Sequence, residues 1–511
     1  MPTARRHSVL VLLCDQLRPD FLSVYGGDAV PTPNLDRLAD RGVVFDHAIT
    51  QSTVCAPARA SMMTGRYVSD HGVWTNDVPF RDGVEYLPER LNELGYATAA
   101  FGKLHHFPAD DAKGFKHVRQ MEEGRLGDDE PYLAWLKGRH PEVTRMWNAQ
   151  DGHFAFGEDE YYEHWIASEA IRFIETHHTA SPDQPFLAWV AFQGPHGPFD
   201  PPIELRGTCR EERLPKPLTR NVDPETPEPE TVQYRRAREP GPTDIEHIMR
   251  LRGAYAEMIV AIDNQIGRLL DTLEQTGTLD QTTIIFSADH GDMLWDYGIT
   301  AKGPFPYRGQ LDIPMIVANH HALTPGTRSV SLVGNIDIPG TILDIAGAKR
   351  GIGMSRSLLE LGREYPVNPR TVNYSEFCDS VRTVEDHRYR YSYYPFEGVA
   401  ELYDHSEDPD EQRNLAGKEE AASVERRFLQ HLLDFAVMSH GFRVEAHDFV
   451  PTKQEGARHK APHYQDDFDV VFPLNAREVD RLREAGLDTD FNEFCRRKDV
   501  LHSYSPPYWE A

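Results

Sequence analysis

Residues 55–66 read Cys-Ala-Pro-Ala-Arg-Ala-Ser-Met-Met-Thr-Gly-Arg. The stretch has the pattern of a short helix. Pro57 falls in the first turn, where a missing N–H removes no helical bond, and Gly65 is a natural stop. Cys55 then lies at the helix mouth, with Arg59 one turn further on the same side. Free backbone N–H groups and a guanidinium around one thiol make an electropositive, anion-attracting pocket. A capped helix with a buried structural cysteine fits the same residues, so the rest of the chain must decide.

Outward from that helix, four apolar runs end in polar or charged residues. Val9 to Leu13 leads into Asp15 and Gln16, and Ala97 to Phe101 into Gly102, Lys103, Leu104 and His105. Phe186 to Phe192 leads into Gly194, Pro195 and His196, and Thr283 to Phe286 into Asp289, His290, Gly291 and Asp292. Continuous apolar runs of this length suit parallel strands covered on both faces. Helical patterns separate them. Thr32-Pro33 opens one that Gly42 closes, another runs from Tyr161 to His178, and a long one runs from about Asp244 to Gly277. The alternation predicts a doubly wound α/β sheet. Ligands in such sheets bind at the carboxyl ends of strands, and all four polar clusters fall there.

Bulk properties narrow the function. At 511 residues the chain predicts one large domain and a smaller one. Cys14, Cys55, Cys209, Cys378 and Cys495 are odd in number and lack metal-type spacing, which argues against a disulfide framework or a structural zinc site. A formal charge of −27 disfavours non-specific binding to nucleic acid or anionic membrane. An anionic substrate would therefore need a local basic site. No apolar run reaches membrane-spanning length. The apolar run after Arg5-Arg6-His7 is short, and Asp15 follows it without a small-residue cleavage site. It reads as the first strand, and the protein as cytoplasmic.

Two polar stretches, 108–158 and 203–243, follow site clusters directly, as lids or substrate loops do; for the second, a solvated excursion fits equally. The expected catalytic domain spans 1–370. Over 371–440 the pattern shortens to strands at Thr371–Phe377, Arg388–Tyr394 and Ala400–Tyr403, then a helix from about Lys418 to Met438. This predicts a small antiparallel sheet with one helix. Residues 441–511 form an irregular, aromatic and acidic extension, suited to wrapping the body or a neighbouring subunit in a homo-oligomer.

Asp15, Gln16, Asp289 and His290 bring two carboxylates, an amide oxygen and an imidazole to strand ends. That donor set suits one divalent cation, Ca²⁺, Mn²⁺ or Mg²⁺. A lone strand-end aspartate is more often a turn or capping residue; the Asp-His-Gly-Asp cluster paired with a distant strand-end aspartate is harder to dismiss. Lys103, His105, His196 and Lys302 add positive charge and proton donors in an otherwise acidic protein. Taken together, these groups are what cleavage of a tetrahedral oxyanion ester requires. Cations neutralise the non-bridging oxygens and a donor protonates the leaving oxygen.

Over residues 8–435 the chain resembles a type I sulfatase of the alkaline phosphatase superfamily. The matching pieces are Cys55-Ala-Pro-Ala-Arg59 with Thr64-Gly-Arg66, Gly102-Lys103 with His105, and Gly194-Pro-His196. They continue with Asp289-His-Gly-Asp292, Ala301-Lys302-Gly303, and Glu401-Leu-Tyr-Asp404 followed by Asp408-Pro-Asp-Glu411 and Asn414-Leu415. The resemblance implies an alkaline-phosphatase-like, mixed but mostly parallel sheet flanked by helices. It implies that a formylglycine-generating enzyme converts Cys55 to formylglycine, whose hydrate binds the metal and attacks sulfur. By the same resemblance Asp15, Gln16, Asp289 and His290 hold the metal together with residue 55. Arg59 holds the formylglycine and Lys103 sits near its oxyanion. His105 is the base that restores the aldehyde, Lys302 binds a sulfate oxygen, and His196 serves the leaving group. Asn76 aligns with a substrate-contact position, although a turn asparagine fits as well.

Many arylsulfatases carry Asp-Asp and Asp-Asn where this chain has Asp15-Gln16 and Asp289-His290. Choline sulfatases and phosphonate monoester hydrolases are similar to it there, which leaves Ca²⁺ and Mn²⁺ both open. The Lys103/His105 pair is sulfatase-like. The expected activity is hydrolysis of a small organic sulfate monoester. A phosphonate monoester or phosphodiester hydrolase is the alternative within the superfamily, and a non-catalytic metal- and anion-binding protein the alternative outside it.

Overall fold

The computed structural model describes residues 7–439 except 145–148, 151, 220–227, 239–241 and 378–379. The expected extension over 441–511 and Cys378 lie outside the described residues. In chain order the first strands are β1 (Ser8–Asp15), β2 (Gly42–Ile49), β3 (Ala97–Gly102), β4 (His117–Gln120), and a short ribbon of β5 (Ala149–Gln150) and β6 (His153–Phe154). Then come β7 (Phe186–Pro195), β8 (Thr282–Ala288), β9 (Met315–Ala318) and β10 (Thr327–Gly334). Strands β11 (Asn373–Phe377), β12 (Val381–Glu385), β13 (Tyr389–Tyr394) and β14 (Val399–Asp404) complete the set.

The main sheet has eight strands in the order β10-β2-β9-β8-β1-β7-β3-β4. β9 runs antiparallel to both neighbours, and the other pairings are parallel. The sheet is therefore mixed and mostly parallel, as the resemblance implies. Its centre is β1 between β8 and β7, and every residue of β7 and β8 is buried. These are the continuous apolar runs of the sequence, covered on both faces.

The helix Ile245–Gln275, 31 residues long, packs with Tyr162–Ala180 and Pro33–Ala39 as one helical layer. Asp244 caps it, accepting the backbone N–H groups of Glu246 and His247. Cys55–Thr64, Leu87–Glu93 and Asp337–Ile345 pack together as another layer. Gly65 ends the Cys55 helix at φ 63°, and a Cβ there would lie 2.6 Å from the Ile352 carbonyl oxygen. Both the backbone conformation and the close approach require glycine. No helix among the described residues is long and apolar enough to cross a membrane.

β11 to β14 form a separate antiparallel sheet of four strands. The sequence reading found three and missed Val381–Glu385. The helix Ala422–Met438 buries Phe428 and Phe435 against this sheet, with Tyr374 stacked on Phe435 at 4.3 Å. Buried Arg390 ties the sheet to the main body. It contacts Glu385 at 2.7 Å, Glu411 at 2.8 Å and, across the junction, Asp312 at 2.7 Å.

Candidate active site and metal centre

The carboxyl edge of the central strands gathers the predicted residues. Asp15 ends β1, just past a register shift between Leu13 and Asp15. Asp289 and His290 follow β8, and Lys103 follows β3. Cys55 is the first residue of its helix and is fully buried. Asp15, Cys55, Asp289 and His290 each offer one ligand atom, all within 4.8 Å of one another. The Cys55 sulfur lies 3.3 Å from His290 Nε2 and 3.6 Å from Asp15 Oδ1. His290 Nδ1 lies 2.8 Å from the Gly291 carbonyl, which fixes Nδ1–H as donor and turns the Nε2 lone pair inward. Two carboxylates and a correctly oriented imidazole fit one divalent cation.

Gln16 adopts φ 69° and uses its backbone N–H to reach Asp289 Oδ1 at 3.0 Å. Its amide oxygen accepts from Lys302 Nζ at 2.8 Å, while its amide nitrogen donates to Asp292. Lys302 Nζ is also 2.8 Å from the Cys55 sulfur and 3.9 Å from Asp15. One ammonium thus stands among the groups suited to a cation, and Gln16 turns its oxygen toward it.

Arg59 lies under this cluster, only 1% exposed. Its Nε donates to Asp289 Oδ2 at 2.8 Å, one terminal nitrogen to Asp15 Oδ2 at 3.2 Å, and the other to the Lys103 carbonyl. Lys103 Nζ bridges Asp15 and Glu123, each at 2.7 Å. Burial alone would raise the Asp15 carboxyl; Lys103 and Lys302, with His196 and Arg59, outweigh it and hold it well below the usual range. The Cys55 thiol is pushed up to about 11 by burial and by Asp15. Lys302 is raised against the burial penalty by Cys55 and Asp15.

His196 is buried, with Nδ1 2.6 Å from the Gly197 carbonyl and 3.9 Å from Glu123. Burial and then Lys302 and Lys103 lower it to about 3. His105 adopts φ 56°, and its backbone N–H reaches both Glu122 oxygens at 3.1 Å. Its Nδ1 is buried without a hydrogen-bond partner among the described residues. Burial, then Arg125 and Lys103, keeps that ring well below its ordinary value. Asn76 Oδ1 accepts the Ala56 N–H at 3.2 Å, so it serves the helix mouth directly.

The sequence reading missed Glu122, Glu123, Arg125 and Gln193. Glu122 holds the Leu104 N–H at 2.6 Å as well as that of His105, shaping the turn after β3. Glu123 collects Lys103, Arg125 and Gln193. These residues come from the polar stretch after residue 108 and from within β7; they show no periodicity that would single them out.

A set of groups that could hold a cation, a cysteine at a helix mouth and converging cationic side chains meet at one sheet edge, the groups that hydrolysis of a tetrahedral oxyanion ester calls for. The comparisons name the family. Sulfatase matches residues 7–348, and the C-terminal region of N-sulphoglucosamine sulphohydrolase matches residues 298–437. An arylsulfatase of Clostridium perfringens is 27% identical over 81% of this chain and 91% of its own. A choline-sulfatase of Rhizobium meliloti is 26% identical, covering 81% and 83%. The phosphonate monoester hydrolase structure of Agrobacterium radiobacter superposes with a TM-score of 0.73 at 25% identity, covering 85% and 96%. The chain belongs to the sulfatase family of the alkaline phosphatase superfamily, and with it to the sulfuric ester hydrolases.

Proposed function

We propose that this enzyme hydrolyses a small organic sulfate monoester using formylglycine made from Cys55 by a formylglycine-generating enzyme. The observation that carries the proposal is the position of the Cys55 sulfur, at a helix mouth within 3.6 Å of Lys302, His290 and Asp15. A thiol at that position cannot form the geminal diol from which sulfate is expelled as the aldehyde is restored. Formylglycine at that position, once hydrated to its geminal diol, supplies a hydroxyl oxygen as the nucleophile for sulfur.

Asp15, Asp289 and His290 would hold a Ca²⁺ or Mn²⁺ ion, with Gln16 and residue 55 beside them. When bound, the cation neutralises charge on the sulfate oxygens. Lys302 binds a sulfate oxygen, and Lys103 and Arg59 keep the carboxylates oriented and balance their charge. His196 is assigned to the leaving oxygen and His105 to the proton whose removal regenerates the aldehyde. Asn76 is assigned to the substrate through its amide nitrogen, its oxygen being engaged by Ala56. Three described cysteines, all free, support a cytoplasmic location.

Mass spectrometry of the peptide carrying residue 55, paired with turnover of nitrophenyl sulfate and phenylphosphonate esters, tests this reading. An oxidised residue 55, a higher rate on sulfate, and complete loss in Cys55→Ala are expected. Full activity with an unmodified thiol would refute the mechanism. A higher rate on phosphonate would move the chain to the alternative within the superfamily.

A further inference from the structure

The segment carrying His196 begins at Gln193 in β7 and ends at Asp200. Both of its ends are held from one place. Glu163, fully buried in the first turn of the helix Tyr162–Ala180, accepts the Gln193 N–H at 3.3 Å with one carboxylate oxygen and the Gly194 N–H with the other. Its neighbour Tyr162, also fully buried, donates its hydroxyl to Asp200 Oδ1 at 2.9 Å, and receives the Tyr161 hydroxyl at 2.7 Å. A Cβ on residue 194 would stand 2.8 Å from Glu163 Oε1, so the carboxylate occupies space that glycine leaves open. These hydrogen bonds of Glu163 and Tyr162 go to the two flanks of the histidine segment.

We infer that Tyr162 and Glu163 are positioning residues for the leaving-group step, because together they hold both flanks of the segment that presents His196. The inference rests on the assignment of His196 to the leaving oxygen. Buried hydrogen bonds to both flanks limit how far the imidazole can drift, and a drift of about 1 Å at a reacting group can cost on the order of 100-fold. The loss should appear where His196's support of the leaving oxygen matters most, with poor leaving groups. A helix that merely packed on the sheet would affect all esters alike.

The test compares kcat/KM for an alkyl sulfate and for nitrophenyl sulfate in Tyr162→Phe, Glu163→Gln, His196→Ala and the two double variants with His196→Ala. Tyr162→Phe removes a single hydroxyl and Glu163→Gln keeps one acceptor oxygen, so at least one is expected to fold. Both single variants should lose about tenfold or more on the alkyl sulfate beyond any loss on nitrophenyl sulfate. Neither should add to the His196→Ala loss, since groups acting through one residue are non-additive. Equal losses on both esters, or losses that add to His196→Ala, would overturn the inference while leaving His196 in its role. If His196→Ala itself shows no dependence on the leaving group, the assignment of His196 fails and the inference fails with it.

Discussion

Replacing Arg59 by methionine keeps most of the side-chain volume and removes only the guanidinium. Asp15 is still served by Lys103 at 2.7 Å and Lys302 at 3.9 Å. Asp289 keeps the backbone donors of Gln16 at 3.0 Å and His290 at 2.8 Å, with the His290 ring 3.7 Å away, and no lysine within ion-pair distance among the described residues. The uncompensated charge therefore falls on Asp289. Summing three lost charge-assisted hydrogen bonds at about 1.5–3 kcal/mol each overshoots, because Lys103 and Lys302 remain. Breaking a buried pair costs about 3–5 kcal/mol, and the lower end applies here. A divalent cation neutralises the same carboxylates, and losing a neighbouring like charge favours its binding. The deficit should thus be about 3 kcal/mol in chelator and fall by at least half in saturating Mn²⁺ or Ca²⁺. Urea unfolding followed by tryptophan fluorescence, with chelator and with cation, measures both values. A deficit below about 1 kcal/mol in chelator, or one that cation leaves unchanged, would refute the reasoning.

Asp289→Asn keeps the Gln16 and His290 contacts but sets an amide N–H₂ against Arg59 Nε, so cation affinity and turnover should fall together by about 10- to 100-fold; calorimetric affinity equal to wild type would contradict the ligand assignment. His105→Ala should slow alkyl and aryl sulfates to one common turnover, about 10²–10⁴ below wild type, because the step assigned to it follows ester cleavage; a rate that still tracks the leaving group would reassign the residue. Arg390→Met should destabilise the protein by about 3–5 kcal/mol at neutral pH. Burial opposes ionisation of Asp312 and Glu411, yet Arg390 and its neighbours hold both below their ordinary values. That stabilisation is complete above the unfolded values near about 4 and is lost as pH falls below them, so the gap between variant and wild type should close in acid. Denaturation curves across pH that stay parallel would count against it.

The site was readable where chemistry is tied to local pattern. Cys55 and Arg59 share a short helix with its own stop at Gly65, and Asp15 and Asp289 each end an apolar run that must be buried on both faces. β9 was not readable: four apolar residues look the same whether they run with the sheet or against it, and only the pairing decides. β12 was missed because Val-Arg-Thr-Val-Glu is too short for its alternation to stand out. Glu122, Glu123 and Arg125 belong to a polar stretch whose fold is set by what it docks against. Glu163 looks like any acid in a first helical turn, where the macrodipole alone would favour it.

The hydrogen bond from Gln16 to Asp289 joins positions 273 residues apart, and β1 lies between two strands made much later. During synthesis, the seven apolar or ligand-bearing residues that β1 buries have neither sheet neighbour until β7 and then β8 have emerged. No nascent chain that stops short of Lys302 contains the whole cluster. The growing polypeptide must therefore keep an adhesive central strand out of trouble for most of its translation, which makes it a natural client for chaperones. Cation uptake by the complete cluster can only come late, so it would report that the middle of the sheet has closed.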